Sequence, residues 1–268
     1  MLKKAQHTKI QPLPPLILLH GLRGTHDGLA EIAKALQARG FLVLNPDLPG
    51  SGNNKALPSP SLFGYLTWLK QYIEAQNFLE PPVLVGHSMG SIIVSHFITR
   101  FPSSCHSKTV LIAPILRRPF ARKISSLNYQ ILAAFLHCLP PKTRTRLLKS
   151  NFVSFCISHF LTVDKSKQKA IDLQHYRYSG RFTSADSLLA DIRLSTKHTT
   201  IFPATKKILV IAGDHDRLTS KKLFLSLSKH TKLKLHLVKN TGHLINYEQP
   251  ALVAKLIADF LEEAKKAS

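Results

Sequence analysis

Acidic side chains are scarce in this chain: 15 Asp and Glu stand against 37 Lys and Arg, a formal net charge of +22. So strong an excess of cations suits an anionic partner, whether nucleic acid, an anionic membrane surface or an anionic substrate. The alternative is a solvated basic surface carried as general composition. No long Lys/Arg-rich tract punctuated throughout by aromatic residues occurs, so a nucleic-acid groove is not expected. Peripheral contact with an anionic lipid surface stays open. Cysteine is also scarce. Cys105, Cys138 and Cys156 are odd in number and lack both CxxC spacing and metal-ligand spacing with histidine. A disulfide framework and a cysteine-based metal site are therefore excluded, and the three are expected to be buried thiols. No apolar run approaches the roughly 20 residues of a membrane-spanning helix. Met1-Leu2-Lys3-Lys4 turns polar at once, without the apolar stretch of a signal peptide, so the expected compartment is the cytoplasm.

What the chain has is length and alternation. Its 268 residues allow one large α/β domain with an inserted subdomain. Short, mostly apolar runs recur at Leu16–Leu19, Phe41–Leu44, Pro82–Val85, Thr109–Ala113, Lys207–Ile211 and Leu233–Val238. Amphipathic stretches over about 28–39, 61–77, 88–100, 219–229 and 249–266 separate or follow them. Strands apolar on both sides, alternating with helices, argue for a mostly parallel central sheet covered by helices on both faces. The alternation breaks at Pro114 and resumes after about residue 202. The expected organisation is therefore a core of residues 1–114 and 203–268, with residues 115–202 inserted as a helical lid.

Gly86-His87-Ser88-Met89-Gly90 lies where the third strand runs into the helix that follows it. A strand turning directly into a helix strains the serine backbone and exposes its hydroxyl at a helix N-terminus. Only small residues fit at the flanking positions. A serine hydroxyl is a weak nucleophile until a base takes its proton, and that base needs an acid to orient it. His243, between the last strand and the last helix, is the candidate base. The acid should follow the preceding strand, in Ala212-Gly213-Asp214-His215-Asp216, where Asp214 and Asp216 both qualify. Two backbone N–H groups, of Met89 and of Leu22 in His20-Gly21-Leu22-Arg23-Gly24, would hold the oxyanion. Arg23 could touch a substrate carboxylate.

His-Gly-Leu-Arg-Gly, Pro-Asp-Leu-Pro-Gly-Ser-Gly, Gly-His-Ser-Met-Gly, Gly-Asp-His-Asp and Thr-Gly-His occur in the order and positions of the α/β-hydrolase superfamily. The chain resembles its lipase, esterase and monoacylglycerol-lipase-like members from about residue 16 to 266, the lid excepted. Matching the family's G-x-x-D acid loop onto Gly213 selects Asp216 over Asp214. The sequence departs from the family at Ser51, where a histidine is usual, and at Ser91, where a second glycine is usual.

The resemblance implies a serine hydrolase that forms an acyl-enzyme and cleaves a carboxylic ester of a small acyl substrate, hydrophobic or anionic. No metal and no organic cofactor is expected. The same machinery would serve an acyltransferase, a thioesterase or a C–C hydrolase, and a basic binding module on a hydrolase fold is the non-catalytic alternative. In the lid, Leu127, Ile131, Leu132, Phe135 and Leu136, then Phe152, Phe155, Ile157, Phe160 and Leu161, recur at helical spacing and are expected to pack within it, a lining for an acyl chain being the functional alternative. Lid cations including Arg117, Arg118, Arg122, Arg144 and Arg146 suggest a rim that steers anionic substrates.

Overall fold

The computed structural model describes residues 13–116, 138–164, 166, 184–228 and 233–263. Six strands form one parallel sheet: β1 (Leu16–Leu19), β2 (Val43–Leu44), β3 (Val83–His87), β4 (Lys108–Ile112), β5 (Lys207–Gly213) and β6 (Leu233–Val238). Their spatial order is β2-β1-β3-β4-β5-β6, with every neighbouring pair parallel. Strand identity explains why the runs are apolar without alternation. Leu16, Leu18, Val83, Val85, Val110, Ile112, Leu209 and Ile211 face one layer, formed by helices α1 (Ala30–Gln37) and α9 (Pro250–Glu262). The intervening Ile17, Leu19, Leu84, Leu111 and Val210 face α2 (Leu62–Ala75), α3 (Met89–Arg100) and Phe224 of α7 (Lys221–Ser228). Both sides of the central strands β1, β3 and β4 are dry, so both sides are largely hydrocarbon, whereas the edge strand β6 is half-exposed and carries Lys234 and His236.

The helices start and stop for local reasons. Ser61 caps α2 by accepting from the Gly64 N–H, and Pro250 opens α9, where a missing N–H costs nothing. The C-terminus of α9 is held by a buried cation: Lys108 Nζ donates to the Phe260 and Leu261 carbonyls at 2.7 and 3.0 Å. It thereby satisfies acceptors that the helix cannot satisfy itself. The run at 41–44 pairs over Val43–Leu44 only, and the final helical stretch divides at Gln249 into a short α8 (Ile245–Glu248) and α9.

Between β4 and β5 the described residues form α4 (Pro141–Leu148), α5 (Asn151–Leu161) and α6 (Ala185–Lys197). Among the described residues no helix is long and apolar enough to cross a membrane. Leu127, Ile131, Leu132, Phe135, Leu136, Arg117, Arg118 and Arg122 lie outside the described residues. Two expectations for this region need correction. Phe152 and Phe155 are turned outward, 73% and 50% exposed, and Phe160, 52% exposed, packs against the cavity rather than within the lid. Cys138 and Cys156 are exposed, and of the three thiols only Cys105 is buried. Helical spacing identifies a stripe but not which way it faces.

Helix α6 is tied to the sheet layer by a buried polar pair. Tyr65 Oη lies 2.5 Å from Asp191 Oδ1 and 3.1 Å from the Pro49 carbonyl. One hydroxyl proton cannot serve both acceptors. Burial pushes the Asp191 carboxyl up to about 7, and the bond to Tyr65 offsets only part of that. A protonated Asp191 donating to Tyr65, with Tyr65 donating to Pro49, gives every atom a partner. The sign for stability follows. With the folded pKa above the unfolded one, the native state holds a proton that the unfolded state releases between about pH 4 and 7. The group therefore favours folding fully below the unfolded pKa and loses that contribution as pH rises through the folded one. Asp191→Asn, whose amide mimics the protonated acid, should abolish this dependence. Unfolding free energies across this range should then converge with wild type at acid pH and exceed it near pH 8, by on the order of 2–4 kcal/mol. Parallel curves would count against the assignment.

Candidate active site

Ser88, Met89, Leu22, Arg23, Asp214, Asp216 and His243 gather at the C-terminal ends of the strands, where open parallel sheets place their ligand crevice. Ser88 follows β3 with φ 53° and ψ −115°, a conformation that L-residues rarely adopt, and α3 begins at the next residue. The two glycines of the turn are required by contact. A Cβ on Gly86 would sit 2.5 Å from the Gly90 carbonyl oxygen, and one on Gly90 would sit 2.4 Å from that of Leu19. The Ser91 hydroxyl, where the family usually has glycine, donates to the Ser88 carbonyl at 2.5 Å and lies 3.0 Å from Thr200 Oγ1. It braces the elbow from behind.

His243 Nε2 lies 2.8 Å from Ser88 Oγ, and its Nδ1 lies 2.8 Å from Asp216 Oδ2. Asp216 Oδ1 accepts the N–H groups of Leu218 and Thr219 at 2.7 and 3.0 Å. Burial alone would raise this carboxyl, but the neighbouring imidazole and the two backbone donors bring it below the usual carboxylate range. An ionised Asp216 can only accept, so His243 Nδ1 carries the proton and Nε2 presents its lone pair to the serine. Ser88, Asp216 and His243 are all more than nine-tenths buried. Asp214, the rival acid, is engaged elsewhere: Oδ1 contacts His215 Nδ1 at 2.7 Å and the Thr241 N–H at 3.5 Å.

The loop after β1 closes over the serine. A Cβ on Gly21 would lie 2.9 Å from that of Ser88, which brings Leu22 to the cavity wall beside the hydroxyl. Met89 is buried at the first position of α3. His20 fixes this loop. Its Nδ1 contacts the Gly21 carbonyl at 2.9 Å and its Nε2 accepts the Leu48 N–H at 2.9 Å. That pattern is satisfied only by the neutral ring, and burial accordingly pushes its pKa down to about 4. His87 is likewise buried and pushed down to about 3, by burial first and then by the adjacent His243.

Arg23 also lines the cavity, with its backbone at φ 62°. Its Nη1 donates to the Leu148 carbonyl at 2.7 Å and its Nη2 to Ser154 Oγ at 3.2 Å. The guanidinium thus reaches from the loop after β1 into helices α4 and α5; burial lowers its pKa to about 10, and it stays cationic at neutral pH. A second link escaped the sequence reading. Glu248 is fully buried; Oε1 accepts from the Gly242 N–H at 2.8 Å, and Oε2 from Val163 and Asp164 at 3.3 and 2.9 Å. The His243 N–H itself donates to the Leu161 carbonyl at 3.0 Å. A glutamate in Ile-Asn-Tyr-Glu-Gln-Pro reads as a helix surface residue, and nothing in its spacing announces that it clamps two loops. The rim cations divide: Arg144 is buried and pairs with Asp186 at 3.2 Å, whereas Arg146 is exposed.

Ser88 and His243 open into a cavity of about 440 Å³. Leu22, Ile115 and Leu218 wall it on the sheet side, and Ile157, Phe160 and Ile192 close it from α5 and α6. The arrangement places a polarised hydroxyl at the floor of a largely hydrocarbon chamber.

Comparison with known proteins agrees with this architecture. Residues 14–250 match the family model described as the alpha/beta hydrolase fold. The chain is 23% identical to a monoacylglycerol lipase of Mus musculus (ABHD6) over 266 residues, covering 92% of this chain and 75% of the mouse protein. A thermophilic esterase from Thermogutta terrifontis superposes with a TM-score of 0.75 at 18% identity, covering 93% of this chain and 90% of the other. A haloalkane dehalogenase variant from Bradyrhizobium elkanii superposes at 0.68 with 16% identity, covering 95% and 91%. One fold thus carries different bond-breaking chemistries, and the reaction has to be argued from the site. The chain belongs to the α/β hydrolase fold family.

Proposed function

We propose that this protein is a serine hydrolase that cleaves carboxylic esters of hydrophobic acyl groups through an acyl-enzyme. The observation that carries the reading is the unbroken run Ser88 Oγ–His243 Nε2 and His243 Nδ1–Asp216 Oδ2, 2.8 Å at each link, at the floor of the apolar cavity. As Ser88 Oγ bonds to the ester carbonyl carbon, its proton passes to His243 Nε2, and Asp216 stabilises the resulting imidazolium. The Leu22 and Met89 N–H groups hold the oxyanion. Collapse breaks the bond to the alcohol oxygen, which leaves with the proton from Nε2. Water then gives a proton to the same nitrogen while its oxygen attacks the acyl carbon, and Ser88 is released. The helical segment between β4 and β5 acts as the lid that keeps bulk water from the acyl chain.

The size and lining of the cavity set the expected selectivity. Its 440 Å³ hold roughly fifteen groups the size of a water molecule, enough for an acyl chain of intermediate length. Each methylene that moves from water into the hydrocarbon wall contributes about 0.8 kcal/mol, so kcat/KM should rise by up to about fourfold per methylene. With p-nitrophenyl esters the expected order is a rise from acetate through butyrate to octanoate and a fall at palmitate. A flat series, or acetate as the best substrate, would remove the assignment of the cavity to the acyl chain.

A further inference from the structure

Helix α5 is apolar on two sides. Ile157, Phe160 and Leu161 reach the cavity wall beside the buried Ser154 and Ser158, 4% and 0% exposed, while Phe152 and Phe155 are turned outward, 73% and 50% exposed. A lid helix needs only the first of these sides to cover the cavity. The serines have local reasons to face inward: Ser154 accepts from Arg23, and the Ser158 hydroxyl bonds to the Phe155 carbonyl at 3.1 Å. Phe155 stacks on His159 at 5.6 Å between ring centroids, and Phe152 is the most exposed ring of the three. Leu147 of α4, 45% exposed, extends the patch.

The charge carried by α4 and α5 themselves has one sign, Asp186 of α6 being paired with Arg144. Residues 138–163 contain Lys142, Arg144, Arg146 and Lys149 and no Asp or Glu; Arg144 is buried, and the other three are exposed. Arg217 adds a fourth exposed cation, its guanidinium 5.2 Å from the Phe160 ring centroid and bonded to the Phe160 carbonyl. Aromatic rings at the centre with lysine and arginine around them match an anionic bilayer surface, where rings enter the headgroup boundary and cations meet lipid phosphates. The same helix lends Cys156, Ile157, Phe160 and Leu161 to the cavity wall. We infer that the outer face of α5, with the exposed cations of α4, is a docking surface for anionic lipid bilayers. That docking would feed an acyl substrate from the bilayer to Ser88 rests on the hydrolase reading above; the docking itself does not.

The test is co-sedimentation with vesicles of phosphatidylglycerol and phosphatidylcholine against vesicles of phosphatidylcholine alone. Wild type is compared with Phe152→Ser/Phe155→Ser and with Lys142→Glu/Arg146→Glu/Lys149→Glu. None of these residues lines the cavity. Expected is salt-sensitive binding of wild type to the anionic vesicles, weakened at least about tenfold in each variant. Turnover of soluble p-nitrophenyl butyrate and the thermal midpoint should stay at wild-type values. The inference is overturned if wild type does not sediment with anionic vesicles, or if either variant binds as wild type does. It is equally overturned if the phenylalanine variant melts several degrees lower or loses soluble-ester turnover, because the rings would then be packing residues. Absence of ester turnover in wild type would sink the hydrolase reading and leave the vesicle result standing on its own.

Discussion

Replacing Ser88 with alanine should lower kcat/KM on p-nitrophenyl esters by about a millionfold, to a residue of catalysis that oxyanion donors and binding alone can sustain. The same variant should lose covalent labelling by a fluorophosphonate. Both effects follow from one atom, because Oγ is the only part of the side chain that reaches His243. The fold should be untouched. Alanine keeps the Cβ that the φ of 53° already accommodates, and the neighbouring contacts of Gly86 and Gly90 are main-chain contacts. Circular dichroism and the melting midpoint provide that control. A folded Ser88→Ala protein that still labels would place the nucleophile elsewhere.

Asp216→Asn should lower kcat by about ten thousandfold with little change in KM, the scale seen when a base is left in the wrong tautomer. The structure gives a specific reason. Two backbone N–H groups, of Leu218 and Thr219, converge on one carboxylate oxygen. An asparagine must turn its carbonyl oxygen toward them, which aims its NH2 group at His243 Nδ1. That nitrogen then has to accept, the ring proton moves to Nε2, and Nε2 can no longer take a proton from Ser88. Asp214→Asn breaks no contact with His243 and should change kcat by less than about tenfold. Steady-state kinetics of the pair decide the matter: equal losses, or a larger loss in Asp214→Asn, would reject Asp216 as the acid.

Much of the scaffold could be read from the chain because its driving force is local and periodic. A run such as Leu16-Ile17-Leu18-Leu19 can only be buried on both sides, and six such runs separated by amphipathic helices leave a covered parallel sheet as the economical solution. The Gly-x-Ser-x-Gly turn was legible for a related reason: steric exclusion at Gly86 and Gly90 acts on residue type directly. The acid was not legible from the residues alone. Asp214 and Asp216 share a loop, a charge and a side chain, and what separates them is the direction each takes from the turn. Glu248 and Arg23 show the same limit. Their main-chain partners lie up to 125 residues away, and backbone donors and acceptors leave no mark in a sequence. Periodicity likewise does not say that Phe152 and Phe155 of α5 turn outward: a stripe of phenylalanines looks the same from the core and from solvent. The serines opposite it were the readable clue, since small polar residues on one stripe and rings on the other cannot both obey the usual rule.

The two cross-links from α5 bear on how this enzyme could be redesigned. Arg23 grips its first turn and the carbonyl at the end of α4, while Leu161 and the two residues behind Thr162 grip the His243 loop. Grafting the intervening region from a relative, the usual route to a new chain-length preference, would therefore alter more than the wall of the chamber. Unless the donor segment brought an acceptor for the guanidinium and a carbonyl at the register of Leu161, the hybrid would carry a new pocket above a loosened His243. Selectivity and turnover in such chimeras would then have to be recovered together.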